Sequence, residues 1–238
     1  MRNVLVKRMY RHHQARRIVG QIGPLELSGS LSRATAQRLS QYLRCLRPAL
    51  PGTTVSSSQL ARAVGVSDAQ VRRDLATLGN LGQRGIGYDA NALTAVIRRT
   101  LGIDRTWKSV IVGVGNLARA LLRYRGFQEQ GFEIVGLFDN DTTKIGTQVD
   151  GLTIHALDRL ANAIKTSKAE LGVIAVPPES AQFVADELTR AGIKGLLNFA
   201  PALLKIAPHI RLVTVDLAIQ FEHLAYLVRL GRTSENGE

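Results

Sequence analysis

Two spacings of apolar residues divide this chain. Up to about residue 101 they recur with the period of a helix; beyond residue 109 they gather into short, almost unbroken runs. Leu31, Ala34, Leu39, Tyr42, Leu43 and Leu46 mark the inner face of a first helix, which Pro48 and Pro51-Gly52 end. The next segment supplies Ser56 as a natural N-cap, Gly65 for a left-handed turn and Ser67 as the cap of a further helix. The spacing predicts that helix over 68–78, with Val71, Leu75 and Leu78 facing inward. Two short helices joined by a tight glycine turn, the second one basic, form a helix-turn-helix. Residues 79–87 then hold four glycines in nine positions, which predicts a β-hairpin, or wing, followed by a linking helix over 91–101.

The second half alternates strand-like runs (110–114, 134–138, 171–176, 195–199 and 212–215) with helical patterns, clearest over 179–191. Near-continuous Val/Ile/Leu strands belong to a parallel sheet covered on both faces. The first run breaks into Gly113-Val114-Gly115-Asn116-Leu117-Ala118, a G-x-G-x-x-A turn leading into a helix. Gly113 permits the turn, Gly115 lets a pyrophosphate approach the backbone, and Ala118 needs only to be small where helix meets strand. The second run ends in Asp139, an acid placed to accept bonds from both ribose hydroxyls and to repel a 2′-phosphate, favouring NAD over NADP. Enzymes of this architecture need a proton donor or acceptor facing the nicotinamide. His155, His209 and His223 lie in no recognisable catalytic setting, and the strand ends at 176–177 and 198–201 carry no acid or base. No catalytic residue is expected, so NADH or NAD⁺ is expected as a ligand rather than a catalytic cofactor.

Charge changes the picture of the first half. Residues 1–108 hold eighteen Lys/Arg against five Asp/Glu, whereas residues 109–238 are nearly balanced, so the net charge of +12 sits ahead of the dinucleotide turn. A basic surface of that size attracts phosphate backbones. Gln70 and Arg73 project away from the apolar stripe of their helix with Arg72 beside them; arginine forks onto guanine or phosphate, and glutamine onto adenine. Ser57, Ser58, Arg84 and Gly85 complete the expected DNA-contacting set, with Arg84 at a wing tip suited to a minor groove or a phosphate. The plainer alternative is a wing that only turns the chain and a solvated arginine. Residues 1–30 are expected as a disordered basic extension that superficially resembles a transit peptide. His12-His13 has no further ligands at zinc spacing, so no metal is expected. One cysteine, Cys45, agrees with a reducing cytoplasm and reads as a small core residue. No apolar run approaches the roughly 18 residues that span a bilayer.

From about Leu31 to Leu230 the chain resembles the Rex redox-sensing transcriptional repressors of bacteria. The matching segments are 70–75 (QVRRDL), 84–88 (RGIGY), 113–117 (GVGNL), Phe138-Asp139 and 193–201 (IKGLLNFAP). The departures are the first thirty residues and Ala118, where that family often has glycine. The resemblance implies a homodimer that binds double-stranded operator DNA with NAD⁺ and releases it when NADH locks the dimer. The corresponding organisation is an N-terminal winged helix-turn-helix domain (31–106), a Rossmann-like parallel-sheet domain (107–215), and a C-terminal dimerisation helix and tail (216–238). The resemblance also implies that this last helix is swapped onto the partner. An apolar stripe of Leu217, Phe221, Leu224 and Val228 agrees with that, although packing on its own domain would give the same period. Tyr124 and Asp216 match positions of the family's redox switch; the alternatives are a packed surface tyrosine and an N-cap aspartate. Two rivals remain at this level: a dehydrogenase with a basic appendage, and a nucleoid or CoA-binding module.

Overall fold

The computed structural model describes residues 31–47, 50, 52–83 and 85–235, with side chains in the last helix described as far as Leu230. The expected extension over 1–30, with His12 and His13, and the wing-tip Arg84 lie outside the described residues. The chain divides into two compact units with the boundary between Arg105 and Thr106.

In the first unit, helix α1 (Arg33–Leu46) is capped by the Ser32 hydroxyl, which accepts the Thr35 N–H. Helix α2 (Ser57–Val64) begins with a reciprocal cap. The Ser56 hydroxyl accepts the Gln59 N–H at 3.1 Å, and the Gln59 amide oxygen accepts the Ser56 N–H at 2.8 Å. Gly65, at φ +75°, ends it in the left-handed region and Ser67 caps helix α3 (Asp68–Ala76), as the sequence predicts. Helix α3 stops two residues short of the predicted end. Leu78 is still buried, because its N–H turns back onto the Leu75 carbonyl and drops the side chain into the same core. That core joins Tyr42 and Leu43 of α1, Leu60 of α2, Val71 and Leu75 of α3, and Ile97 of helix α4 (Ala90–Thr100).

The wing consists of β1 (Thr54–Val55), β2 (Gly82–Gln83) and β3 (Gly87–Asp89), antiparallel in the order β1-β3-β2. Strand β1 has no signal in the spacing because two residues carry no period. It explains why Gly87 is a glycine. At φ +96° a Cβ there would stand 2.6 Å from the Val55 carbonyl oxygen.

The second unit runs β4 (Trp107–Val112), α5 (Asn116–Arg123), α6 (Gly126–Glu129), β5 (Phe132–Asp139), β6 (Gln148–Val149), β7 (Leu152–Ala156), α7 (Leu160–Ser167), β8 (Leu171–Ile174), α8 (Pro178–Arg190), β9 (Gly195–Asn198), β10 (Arg211–Thr214) and α9 (Leu217–Glu235). Its sheet has the order β10-β9-β8-β4-β5-β7-β6, parallel throughout except for the β6–β7 edge. Successive residues of β4 serve opposite faces. Val110 and Val112 pack with Val184 and Leu188 of α8, and Ile111 packs with Ala118 of α5. Chain order reverses between β4 and β8, so the crevice beyond their carboxyl ends is the switch point of a doubly wound sheet. Together the units form the α/β architecture the sequence predicts, a winged helix-turn-helix followed by a Rossmann-like parallel sheet. The Thr153-Ile154 pair ahead of His155 reads as a strand, but its pairing with β6 was not expected; within β7 only Ile154 is buried, too little to show as a longer apolar run.

Helix α9 is different. Its stripe of Leu217, Phe221, Leu224 and Val228 is exposed, Phe221 to 72%, so none of the described residues covers that face.

Candidate functional site

The turn after β4 is shaped by two glycines in opposite ways. Gly113 sits at φ +92°, and a Cβ on it would lie 2.4 Å from the Ala175 carbonyl oxygen just beyond β8, so only hydrogen fits. Its N–H donates to the Phe138 carbonyl at 2.8 Å, tying the turn to β5. Gly115 has an ordinary φ of −95°, and nothing stands within 4 Å of where its Cβ would be. It is the N-cap of α5 and supplies no side-chain cap, leaving the first-turn N–H groups and the positive end of the helix facing that open side. Val114 and Ala118 are buried on the inner side, while Asn116 and Leu117 are exposed. Helix start, open glycine and sheet crevice therefore fit the diphosphate of a dinucleotide.

Asp139 ends β5 beside this turn, with its side chain almost wholly buried. Oδ2 accepts the Val114 N–H at 2.8 Å and the Lys144 Nζ at 3.1 Å; Oδ1 accepts the Asp141 N–H at 3.0 Å. Burial pushes the carboxyl up, but the N–H groups of Asp141 and Val114 together with Lys144 outweigh it, holding Asp139 below the usual carboxylate range. A carboxylate offers about four acceptor positions, so three are already used. One acceptor position is left for a further hydrogen-bond donor, so a pair of hydroxyls, as the sequence leads one to expect, would have to displace Lys144. Lys144 also pairs with Asp141 at 3.5 Å, and its own pKa is raised by Asp139.

Tyr124 closes α5 with its ring edge-on to Phe127, centroids 5.1 Å apart, and is about half exposed. Gly126 makes room for that ring, since a Cβ there would meet it at 2.5 Å. Asp216 Oδ1 accepts the Ala218 N–H at 2.9 Å, capping α9.

On α3, Arg72 and Arg73 are exposed and Gln70 half-buried. Their side chains are already engaged. Gln70 Nε2 donates to Asp74 Oδ1 at 2.8 Å, and Gln70 Oε1 accepts from Arg73 Nη2 at 3.0 Å. Asp74, 3% exposed, also receives the fork of Arg38 (Nε 2.6 Å, Nη2 2.8 Å) and the Tyr42 hydroxyl at 2.9 Å. Burial raises the Asp74 carboxyl, and the bonds from Arg38, Tyr42 and Gln70 reverse the sign, holding it low. Arg72 Nη1 lies 3.4 Å from the Ser57 hydroxyl, and Ser58 donates to Asp68 at 2.6 Å, so both serines stand on the same side of the motif as Arg72. Gly85 occupies the wing turn at φ +77°.

Residues 30–76 match a family profile described as a DNA-binding protein N-terminus, and residues 104–202 one described as a CoA binding domain. The redox-sensing transcriptional repressor Rex of Carboxydothermus hydrogenoformans is 45% identical over 84% of this chain and 97% of its own length. The chain belongs to the Rex family. A crystal structure of RSP with β-NAD⁺ and operator DNA has a TM-score of 0.80 and 31% identity, over 88% of this chain and 97% of that one. RSP with β-NADH gives a TM-score of 0.78 at 29% identity, over 89% of this chain and 100% of that one.

For a Rex-family chain, the sequence reading brought out the glycine turn, Asp139 and the outward face of α3. It missed Lys144, whose five-residue separation from Asp139 gives no sign of a contact until the loop is folded. It also missed the Arg38–Asp74 pair, which joins residues 36 positions apart. Among the described residues no cluster of His, Cys, Asp or Glu could hold a metal ion, and no helix is long and apolar enough to cross a membrane.

Proposed function

We propose that the chain is a dimeric transcriptional repressor of the cytoplasm that binds operator DNA when NADH is scarce and releases it when NADH binds. The observation that carries this reading is the glycine turn at the β4/β8 switch point. It has the shape for a dinucleotide, yet the neighbouring strand ends at 175–177 and 198–201 carry no titratable side chain. A site that can hold a nicotinamide but cannot move a proton reports on the coenzyme instead of consuming it.

In this reading residues 113–118 hold the diphosphate and Asp139 the adenosine ribose. Ser57, Ser58, Gln70, Arg72 and Arg73 face the major groove, with Arg84 and Gly85 at the wing. Tyr124 and Asp216 form the switch. The assignments of 31–106 to DNA, 107–215 to NAD(H) and 216–238 to dimerisation belong to the same reading, as does the basic extension before them. The relative named RSP was crystallised with NAD⁺ on operator DNA and separately with NADH, which supports coenzyme-dependent DNA binding here. The exposed stripe on α9 supports a second copy of the chain as its cover.

The test is a gel-shift titration of a palindromic operator with NADH and with NAD⁺. NADH should dissociate the complex at concentrations where NAD⁺ leaves it intact. DNA affinity indifferent to the coenzyme ratio, or substrate-dependent turnover of NADH by the purified protein, would remove the sensor reading.

A further inference from the structure

The sequence offers Arg73 for a guanine edge or a phosphate and Gln70 for adenine. The hydrogen bonds around them describe a chain of dependence instead, and its polarity leaves no freedom. A carboxylate only accepts, so the group of Gln70 that faces Asp74 must be its NH₂. That fixes the amide, turning its oxygen toward Arg73, whose guanidinium only donates. Asp74 is itself held by the two-pronged contact from Arg38 and by Tyr42, both on α1, Tyr42 fully buried and Arg38 partly so. An arginine side chain otherwise samples many rotamers, and ordering it on DNA would cost conformational entropy.

We propose that Asp74 is a positioning residue for operator recognition: through Gln70 it presets Arg73, so selectivity between DNA sequences depends on a buried carboxylate that touches no DNA. This deepens the reading of α3 as the recognition helix and rests on it. Gln70 then acts mainly as the link, its amide spent inside the protein. One Arg73 N–H is committed to Gln70, and the remaining donors are left to fork onto a base edge or a phosphate.

The test uses the full-length chain with two duplexes of equal length. One carries the palindromic site that the wild type recovers from a randomised pool in the presence of NAD⁺; the other is its scrambled counterpart. The readout is the ratio of the two affinities at fixed salt. Loss of folded protein lowers both affinities alike and leaves that ratio unmoved. Gln70→Met and Asp74→Asn should each reduce the ratio roughly tenfold, the scale of one lost base contact. In an Arg73→Ala background, Gln70→Met should reduce it no further, because the link has nothing left to position. If Arg73→Ala lowers the ratio while Gln70→Met and Asp74→Asn do not, the relay is overturned and the recognition helix survives. If Gln70→Met costs the same with and without Arg73, glutamine reads its own base and the relay is again overturned. If Arg73→Ala leaves the ratio unchanged, the reading of α3 itself fails. Should Asp74→Asn not fold, Gln70→Met decides alone, since it leaves the Arg38–Asp74–Tyr42 cluster intact.

Discussion

Gly113 and Gly115 stand two residues apart and answer to different demands, so their alanine variants should separate folding from binding. At Gly113 the added methyl meets the Ala175 carbonyl at 2.4 Å in a left-handed backbone. Gly113→Ala should destabilise the second unit by about 3 kcal/mol and abolish NADH binding with it. At Gly115 the methyl enters open space at φ −95°. Stability should stay within about 0.5 kcal/mol of wild type, while NADH affinity measured by calorimetry should fall at least roughly tenfold as the methyl blocks the diphosphate. Equal loss of stability in both would show that the second glycine is structural. Asp74 offers a test by pH. Its carboxyl is held low by Arg38, Tyr42 and Gln70, so its stabilisation is full above the ordinary aspartate value near about pH 4 and is lost as pH falls through the lower folded value. Urea titrations of wild type and Asp74→Asn should therefore keep a constant gap above about pH 5 and converge as pH falls below about 4; a gap that stayed constant through the acid range would mean that packing, not charge, sets the difference.

At the scale of elements, caps and turns were the most legible features. Ser56, Gly65 and Ser67 act within four residues of themselves, and each does in the structure what its side chain suggests in isolation. The parallel strands were equally visible, because burial on both faces writes continuous apolar runs. What was hidden depends on distant partners. Strand β1 exists only because β3 pairs with it, and the two-residue β6 only because β7 does. The same holds at the site: the glycine turn is dictated locally, whereas the cluster joining α1 to α3 arises only once both helices pack. Helix α3 itself carries a direct expectation. Arg73→Ala should weaken operator binding by roughly 1–3 kcal/mol at fixed salt, with relaxed preference at the base pair it meets. Unchanged affinity in a gel shift would take Arg73 out of the contact set.

For the whole molecule, the exposed face of α9 and the responsiveness of DNA binding to NADH are tied by one requirement, that a signal at the β4/β8 crevice reach a DNA-binding unit. In the proposed reading, a dimer built through α9 would supply the means. Ending the chain at Asp216 should therefore leave a monomer by sedimentation whose NADH affinity persists while operator affinity collapses; a truncated chain that stays dimeric would assign α9 another role. The coupling itself obeys a stricter rule. NADH can release DNA only by binding the released state more tightly than the DNA-bound one, and the factor must be the same read from either side. If filling both sites of a dimer lowers operator affinity by a given factor, typically about 5–150-fold, saturating operator must lower the combined NADH affinity of the two sites by that same factor. Calorimetric titration of NADH into the free chain and into its operator complex measures one side, and gel shifts at saturating NADH and in its absence measure the other. Agreement makes the sites titrated by calorimetry the origin of the response, and loss of both effects in Gly115→Ala would assign them to the glycine turn. A DNA effect larger than the NADH effect would mean that NADH acts through a second site, and the crevice between β4 and β8 would no longer account for the sensing.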